Sequence, residues 1–271
     1  MPRLREERPR SLPQYLELME ELHRKTGYPL YYRGCGKASD ELLPSLYRHP
    51  KKTSQTDLEE LKRQLMTRFR QRSIPYHSRD FRDDWEVLFF MQHYGVPTRL
   101  LDWTENSLIG LHFALISAPF KLTNKGTLHY AEPATVWVLD PVVWNQTALK
   151  HISFTGGPLT PGDEALKGYS PGSTAATMHT HPVAIYGAHN SARIVAQQGV
   201  FTIFGKNRVS MEALVRNGTF PSAALFCIVV PPSRISWLRK SLLNQGITES
   251  VVFPDLEGLA RETKRHFGFE A

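Results

Sequence analysis

Residues 90–114 read FMQHYGVPTRLLDWTENSLIGLHFA, and this stretch limits the possible folds more than any other. Gly95 and Pro97 end one helix, because glycine accepts the left-handed stop and proline cannot continue the ladder. TRLLDWT then reads as a short strand or extended turn, and ENSLIGLHFALISA as a buried helix. Helix, turn, strand and helix in so few residues demand an architecture that mixes α and β. Gln92, His93, Arg99, Asp102, Trp103 and Thr104 crowd the same path. Polar groups of several kinds on the ends of regular elements suit a binding or catalytic cleft. The structural alternative is that Arg99 and Asp102 pair to pin the turn and Trp103 joins the core.

The rest of the chain extends this alternation. Residues 1–10 read as a disordered tail. Ser11 caps a first helix that runs to Gly27, with Pro13 in its first turn and Leu16, Met19, Leu22 and His23 on one face. YPLYYRG follows as a short strand. Residues 37–56 read as loop, with one helical turn at LLPSLYR. TDLEELKRQLMTRFRQRS is a helix with Leu58, Leu61, Leu65 and Phe69 at helical spacing, and DDWEVLFFMQHYG is another. TVWVLDP is a strand. Residues 141–190, rich in Gly, Pro, Ser and Thr, read as a long loop region that covers a site. NSARIVAQQG leads into the strand VFTIFG, and ALFCIVVPP is the strongest strand pattern. A capped helix from Ser233 to Gly246, a last strand TESVVF and a last helix DLEGLARETKRHF complete the series. No repeat or Pro/Gly-rich linker divides it. The expectation is one α+β domain over 11–271, with a mixed or antiparallel sheet flanked by helices.

Composition narrows the function classes. The chain has 271 residues, 41% of them hydrophobic, enough for a sizeable core. No apolar run approaches the ~20 residues that span a bilayer, and MPRLREERPRSLP lacks the apolar core of a secretory signal. Cys35 and Cys227 stand too far apart for a disulfide framework or a metal-ligand pattern, so a cytoplasmic protein with reduced thiols is expected. His179, His181 and His189 have no accompanying carboxylate or cysteine, so no metal site is expected. No GxxxxGK, HExxH or GxSxG sequence occurs. The net charge of +7 favours an anionic partner, a nucleic acid or a phosphate-bearing ligand. Much of that charge is local: Arg3, Arg5, Arg8 and Arg10 in the tail, and Lys62, Arg63, Arg68, Arg70 and Arg72 on one helix. A solvated face explains such runs equally well.

Four constellations carry candidate chemistry. In Tyr32-Arg33-Gly34 the arginine offers a planar fork of donors to phosphate or carboxylate, and the glycine permits close approach to the backbone by a ligand or another chain. In the second, Gln92, His93, Arg99, Asp102, Trp103 and Thr104 cluster, with His93 at a negative helix end. Arg193 with Gln197, Gln198 and Gly199 offers amides just ahead of a strand. Glu249, at the start of the expected last strand, is placed to polarise a hydroxyl or stabilise a developing cation. Asp255 reads as the N-cap of the final helix.

Taken in order, Tyr32-Arg33-Gly34, MQHYGVPTRLLDWT with a helix ending HFA, RIVAQQGVFTIF and VFPDLEGLA resemble the FRG domain family. The blocks run from about residue 28 to 262, with Tyr where the family name has Phe. That resemblance implies a bacterial or phage-associated protein and an FRG-like domain over 11–271. A more distant resemblance, by order of elements, is to ADP-ribosyltransferases of the Arg-Ser-Glu type. It implies an ADP-ribosyltransferase-like fold that binds NAD. Arg33 would hold the dinucleotide phosphates, Thr104 or Asp102 would shape the nicotinamide-ribose pocket, and Glu249 would stabilise the oxocarbenium ion or orient the acceptor. Asp102-Trp103-Thr104 departs from that family's Ser-Thr-Ser.

The leading expectation is therefore a nucleotide-binding effector, of toxin or phage-defence type, that transfers ADP-ribose to a macromolecular acceptor or cleaves NAD. Tyr32, Arg33, Gly34, Gln92, His93, Arg99, Asp102, Trp103, Thr104 and Gln198 would contact the nucleotide, and Arg33 and Glu249 would carry the chemistry. The rival is a non-enzymatic nucleic-acid-binding module, whose affinity would fall steeply with salt.

Overall fold

The two longest apolar strand patterns lie side by side and hold the rest together. A computed structural model describes residues 4–77, 80–124, 126–174, 176–188 and 191–269. Its strands are β1 (Glu6–Glu7), β2 (Tyr31–Cys35), β3 (Leu100–Thr104), β4 (Phe120–Leu122), β5 (Leu128–Tyr130), β6 (Ala134–Leu139), β7 (Val183–Ile185), β8 (Gly199–Ile203) and β9 (Leu225–Val230). Its helices are α1 (Leu12–Thr26), α2 (Gln55–Ser73), α3 (Asp84–His93), α4 (Ser107–Ile116), α5 (Pro141–Ala148), α6 (Ala192–Ala196), α7 (Met211–Arg216), α8 (Pro232–Asn244), α9 (Glu249–Val252) and α10 (Leu256–His266).

Seven strands form one sheet in the order β1-β9-β6-β2-β3-β8-β7, and β4 and β5 form a separate hairpin. Within the large sheet only the β1–β9 pair is parallel. Every residue of β6 and β9 is buried, which is why both read as unbroken apolar runs: helices cover both faces. On one face α1, α4 and α8 pack through Tyr15, Met19, Leu111, Leu115, Ile235 and Leu238 against Tyr32, Val136, Val138 and Ile228. On the other, Tyr31, Trp137 and Leu139 meet Phe89 of α3, Trp144 of α5 and Leu214 of α7. The protein is thus a mixed α/β fold with a mostly antiparallel sheet flanked by helices.

Local capping explains the helix boundaries. Ser11, Ser54, Asp83, Asn106, Asp140, Ser191 and Asp255 each accept from a backbone N–H in the first turn of the helix that follows. Such a bond satisfies one of the donors a helix start leaves unpaired. Gly27, Gly95 and Gly246 all take positive φ at helix ends, as their spacing predicts.

Several expectations change. The segment expected as a disordered tail contributes β1, because Glu6 and Glu7 pair with Cys227 and Ile228 and extend the sheet edge. Leu16 faces solvent, and Tyr15 takes its place in the core. Of the apolar row expected on α2, only Leu58 is fully buried. Helix α8 is preceded by Pro231 and has no side-chain cap. The loop expected over 141–190 holds α5, two short 3-10 turns and β7. Trp144 in this region stacks on Phe220 at 4.0 Å, and Leu159, Leu166 and Tyr169 are core residues. The segment therefore builds the domain rather than covering a site.

TESVVF forms α9, a single helical turn. Its β-branched residues favour a strand locally, but Glu249 turns inward to meet Arg265 of α10 and caps this choice with an ion pair. Beside it, burial drives His112 of α4 down to about 4, with the Glu249 charge opposing. An unfolded histidine titrates near ~6.5, so between these values the unfolded chain binds a proton that the folded one refuses. Stability should accordingly fall as pH drops from about 6.5 to about 4, by up to ~3 kcal/mol. Urea midpoints across this range test it, and His112→Gln should flatten the profile.

Candidate functional site

The candidate cleft arises from a fork in the sheet. Strand β2 pairs along its whole length with β6, and β3 along its whole length with β8. Between β2 and β3 only Tyr32 and Thr104 are in register. Past that pair the strands part, leaving room for a cleft of about 790 Å³. Arg33 spans the fork, its Nη1 donating to the Asp102 carbonyl at 2.7 Å. The C-terminal end of α3, from Gln92 to Val96, forms one wall. Arg193 and Gln197 from the α6 region, with Phe253, form another. Phe113, Ile116 and Ser117 close the α4 side, and Ser45 and Arg48 stand at the remaining edge.

The local sequence explains why polar groups converge there. Gly95 and Pro97 stop α3 at the fork, which leaves Gln92 and His93 on its last turn. Gln92 is fixed at both ends: its Nε2 donates to Asp102 Oδ2 at 2.7 Å, and its Oε1 accepts from Thr98. Asp102 is the one exposed member of β3, because its carboxylate looks into the cleft. The surrounding protein still strips part of its hydration and pushes its pKa up, against the pull of Arg33 and Gln92. Burial lowers the pKa of His93, Arg193 adds to this, and Asp102 opposes it. His93 is therefore a neutral imidazole near pH 7 and can accept a proton. Arg193 also lies over the Phe253 ring, 4.8 Å from its centroid, with Arg261 over the same ring at 5.2 Å. These two contacts tie α6 and α10 to the Phe253 wall.

Most of the sequence-derived site residues assemble here: Arg33, Gln92, His93 and Asp102 present side-chain groups, and Tyr32, Gly34, Trp103 and Thr104 complete the lining. Their roles differ, however. The Tyr32 ring is fully buried and its hydroxyl meets His23 Nε2 at 2.9 Å, so tyrosine in place of phenylalanine serves a core hydrogen bond. Trp103 donates from Nε1 to Thr202 within the core. Thr104 Oγ1 donates to the Gln197 carbonyl and accepts from the Asn106 N–H, so it ties β3 to α6 and starts α4. At Gly34 a Cβ would lie 2.2 Å from backbone atoms of both Ala114 and Gly110. The close approach expected for a ligand or another chain is made by α4 of this chain.

Three expected residues lie elsewhere. Arg99 is 2% exposed, and its guanidinium donates to the carbonyls of Phe204, Tyr169 and Ser170. It pins the 169–170 segment to the sheet and does not pair with Asp102. Gln198 is exposed with φ of 46°; its neighbour Gln197 lines the cleft instead. Glu249 is buried, outside the cleft lining, and both of its oxygens accept from Arg265 Nε, at 3.0 and 2.9 Å. Its carboxylate is a structural anchor rather than a group offered to the cleft. Glu249→Gln should lower stability by about 2 kcal/mol, since it strands a partly buried arginine, and should leave ligand binding in the cleft unchanged. Thermal unfolding beside a binding titration checks both halves.

Arg48 and Phe253 were not among the expected contacts. No motif marks Arg48, whereas Phe253 is the second residue of the VFPDLEGLA block. Among the described residues no group of three or more metal-ligating side chains occurs. His179 meets His151 at 3.2 Å and His181 approaches Asn207; His189 lies outside the described residues. No described helix is long and apolar enough to cross a membrane. The basic runs are largely partnered: Arg5 with Glu7, Arg8 with Glu6, Arg63 with Glu60 and Arg70 with Asp84. Lys62 donates to the Ser173 carbonyl.

No curated protein and no solved structure matches the chain. The family model described as FRG domain matches residues 28–121. This segment runs from β2 through α4 and supplies Arg33, Gln92, His93 and Asp102. The blocks around Arg193 and Phe253 lie beyond it, yet they line the same cleft. The similarity to the FRG domain family is thus carried by about a third of the chain, residues 28–121.

Proposed function

We propose that the cleft binds a nucleotide of the NAD type, and that the protein is an ADP-ribosyltransferase-like enzyme that cleaves NAD or transfers its ADP-ribose to a macromolecular acceptor. One observation carries the reading: Arg33, Arg48 and Arg193 share a single cleft with the Asp102 carboxylate and His93. Three arginines suit the paired phosphates of a dinucleotide, because guanidinium forks bind phosphate oxygens bidentately. The volume falls within the ~300–1,000 Å³ range of small-molecule sites.

Asp102 takes the role first considered for Glu249. As the bond between the ribose C1′ and the nicotinamide nitrogen breaks, its electron pair leaves with neutral nicotinamide and positive charge grows on the ribose. The Asp102 carboxylate, oriented by Gln92, stabilises that charge. Water or an acceptor hydroxyl then adds to C1′ and gives its proton to neutral His93. The test is mass spectrometry of NAD incubated with the protein, with and without a cell extract that supplies acceptors. Nicotinamide should be released, and Asp102→Asn should slow release about 100-fold or more, the scale of one lost electrostatic stabiliser. Absence of both nicotinamide and ADP-ribosylated products refutes the chemistry.

A further inference from the structure

Helix α10 is turned the wrong way round for a surface helix. Such a helix ordinarily buries an apolar stripe and shows water its polar face. In α10 the buried and half-buried residues are Gly258, Arg261, Glu262 and Arg265, which helical spacing puts on one side. Glu262 accepts from the Ser250 N–H and hydroxyl, Arg265 holds Glu249, and Arg261 lies over Phe253. At about 3.6 residues per turn, Leu256, Leu259, Ala260, Thr263 and Phe267 form the opposite side. All of them are exposed, Leu256 by 84%, Leu259 by 52% and Phe267 by 69%. Gly268 takes positive φ and the Phe269 N–H donates to the Lys264 carbonyl. This glycine stop holds Phe267 in line with the leucines. Single exposed apolar residues are ordinary, but a contiguous row marks an interaction surface.

We infer that this row is a self-association surface, on which α10 of a second copy of this chain packs antiparallel. The charges choose that occupant. Glu257 stands in the first turn of α10 and Lys264 in the last, and both are exposed. They are seven residues apart, so both flank the same edge of the row. A two-fold axis between residues 261 and 262 brings Leu256 of each copy level with Phe267 of the other. Glu257 of each copy then lies beside Lys264 of the other, on both rims of the contact. Ala260 and Thr263 meet at the centre, where small side chains let the helices approach. An isologous contact requires such self-complementarity. The antiparallel arrangement also sets the positive end of each helix against the negative end of the other, whereas a parallel pair would set like ends together. An anionic lipid surface fits less well, because it would repel Glu257 at the rim of the row. A seam of about 17 Å is small beside standard interfaces of ~1,200–2,000 Å², so the dimer should dissociate on dilution. The inference does not depend on what the cleft binds.

Sedimentation velocity over a concentration series reads the association, and thermal unfolding of dilute protein reads the fold. Wild type should pass from monomer to dimer as concentration rises. Leu259→Glu should stay monomeric with an unchanged Tm at dilution, since the position is exposed. Lys264→Glu removes no apolar contact and sets like charges together at both rims, so it should weaken the dimer about tenfold. Combining it with Glu257→Lys exchanges the partners and should recover most of that loss. If Leu259→Glu fails to fold, the charge pair decides alone. Wild type that stays monomeric overturns the inference. A dimer that Leu259→Glu or Lys264→Glu leaves intact also overturns it, because another face then holds the copies together. A double variant no tighter than Lys264→Glu overturns the antiparallel arrangement. Monomeric wild type that co-sediments with phosphatidylserine vesicles, and loses this with Leu259→Glu, assigns the row to a lipid surface and overturns the second copy as its occupant. Each of these outcomes leaves the cleft reading standing.

Discussion

Arg33→Ala should weaken NAD binding by about 10- to 100-fold, the equivalent of one or two charge-assisted hydrogen bonds. The Arg33 side chain spans the β2–β3 fork, so its loss removes a phosphate donor set and loosens the cleft floor together. Arg33→Lys separates these effects. Lysine keeps the charge but lacks the planar fork, so it should restore only part of the affinity. Unfolding measured in parallel controls for the lost strand contact, which contributes about 1 kcal/mol as a single hydrogen bond. Affinity unchanged in both variants would remove Arg33 from the site.

The second large effect lies one residue on. Gly34→Ala should destabilise the protein by at least about 3 kcal/mol, or prevent soluble expression, since overpacking against rigid neighbours costs this much or more. The added Cβ would meet the Ala114 N and Gly110 O of α4, both at 2.2 Å. Backbone atoms inside a helix cannot move aside as a side-chain tip would. Gly27→Ala is the comparison. Gly27 has φ of 71° and no neighbouring atom within 4 Å of an added Cβ, so it should cost only about 1 kcal/mol of backbone strain. If the two variants proved equally stable, the packing of α4 on β2 would be described wrongly.

These two neighbours show what the sequence made legible. Arg33 was readable as a candidate ligand group, because arginine at a strand end has a recognised chemistry, and it does line the cleft. Gly34 was readable as a point of close approach, but its partner helix, some 80 residues later, was not. Caps, stop glycines and periodicity located α1, α3, β3, α4, β6, β9 and α10, since each signal lies within the element itself. Elements decided by distant partners escaped. Two glutamates do not resemble a strand, yet β1 forms along the open edge of β9. Glu249 looked catalytic while its surrounding TESVVF read as a strand; its commitment to Arg265 depends on the fold of α10. Arg99 shows the same limit, because the carbonyls it serves lie about 70 and 105 residues away.

The central claim is that a nucleotide binds in the β2–β3 fork. Its most direct test is backbone-amide NMR of the protein titrated with NAD. Saturable shifts should map to residues 33–34, 92–96, 102–104 and 193–197, and the same titration of Arg33→Ala should leave them nearly unmoved. Absence of shifts, or shifts confined to another surface such as α2, would contradict the assignment of this cleft.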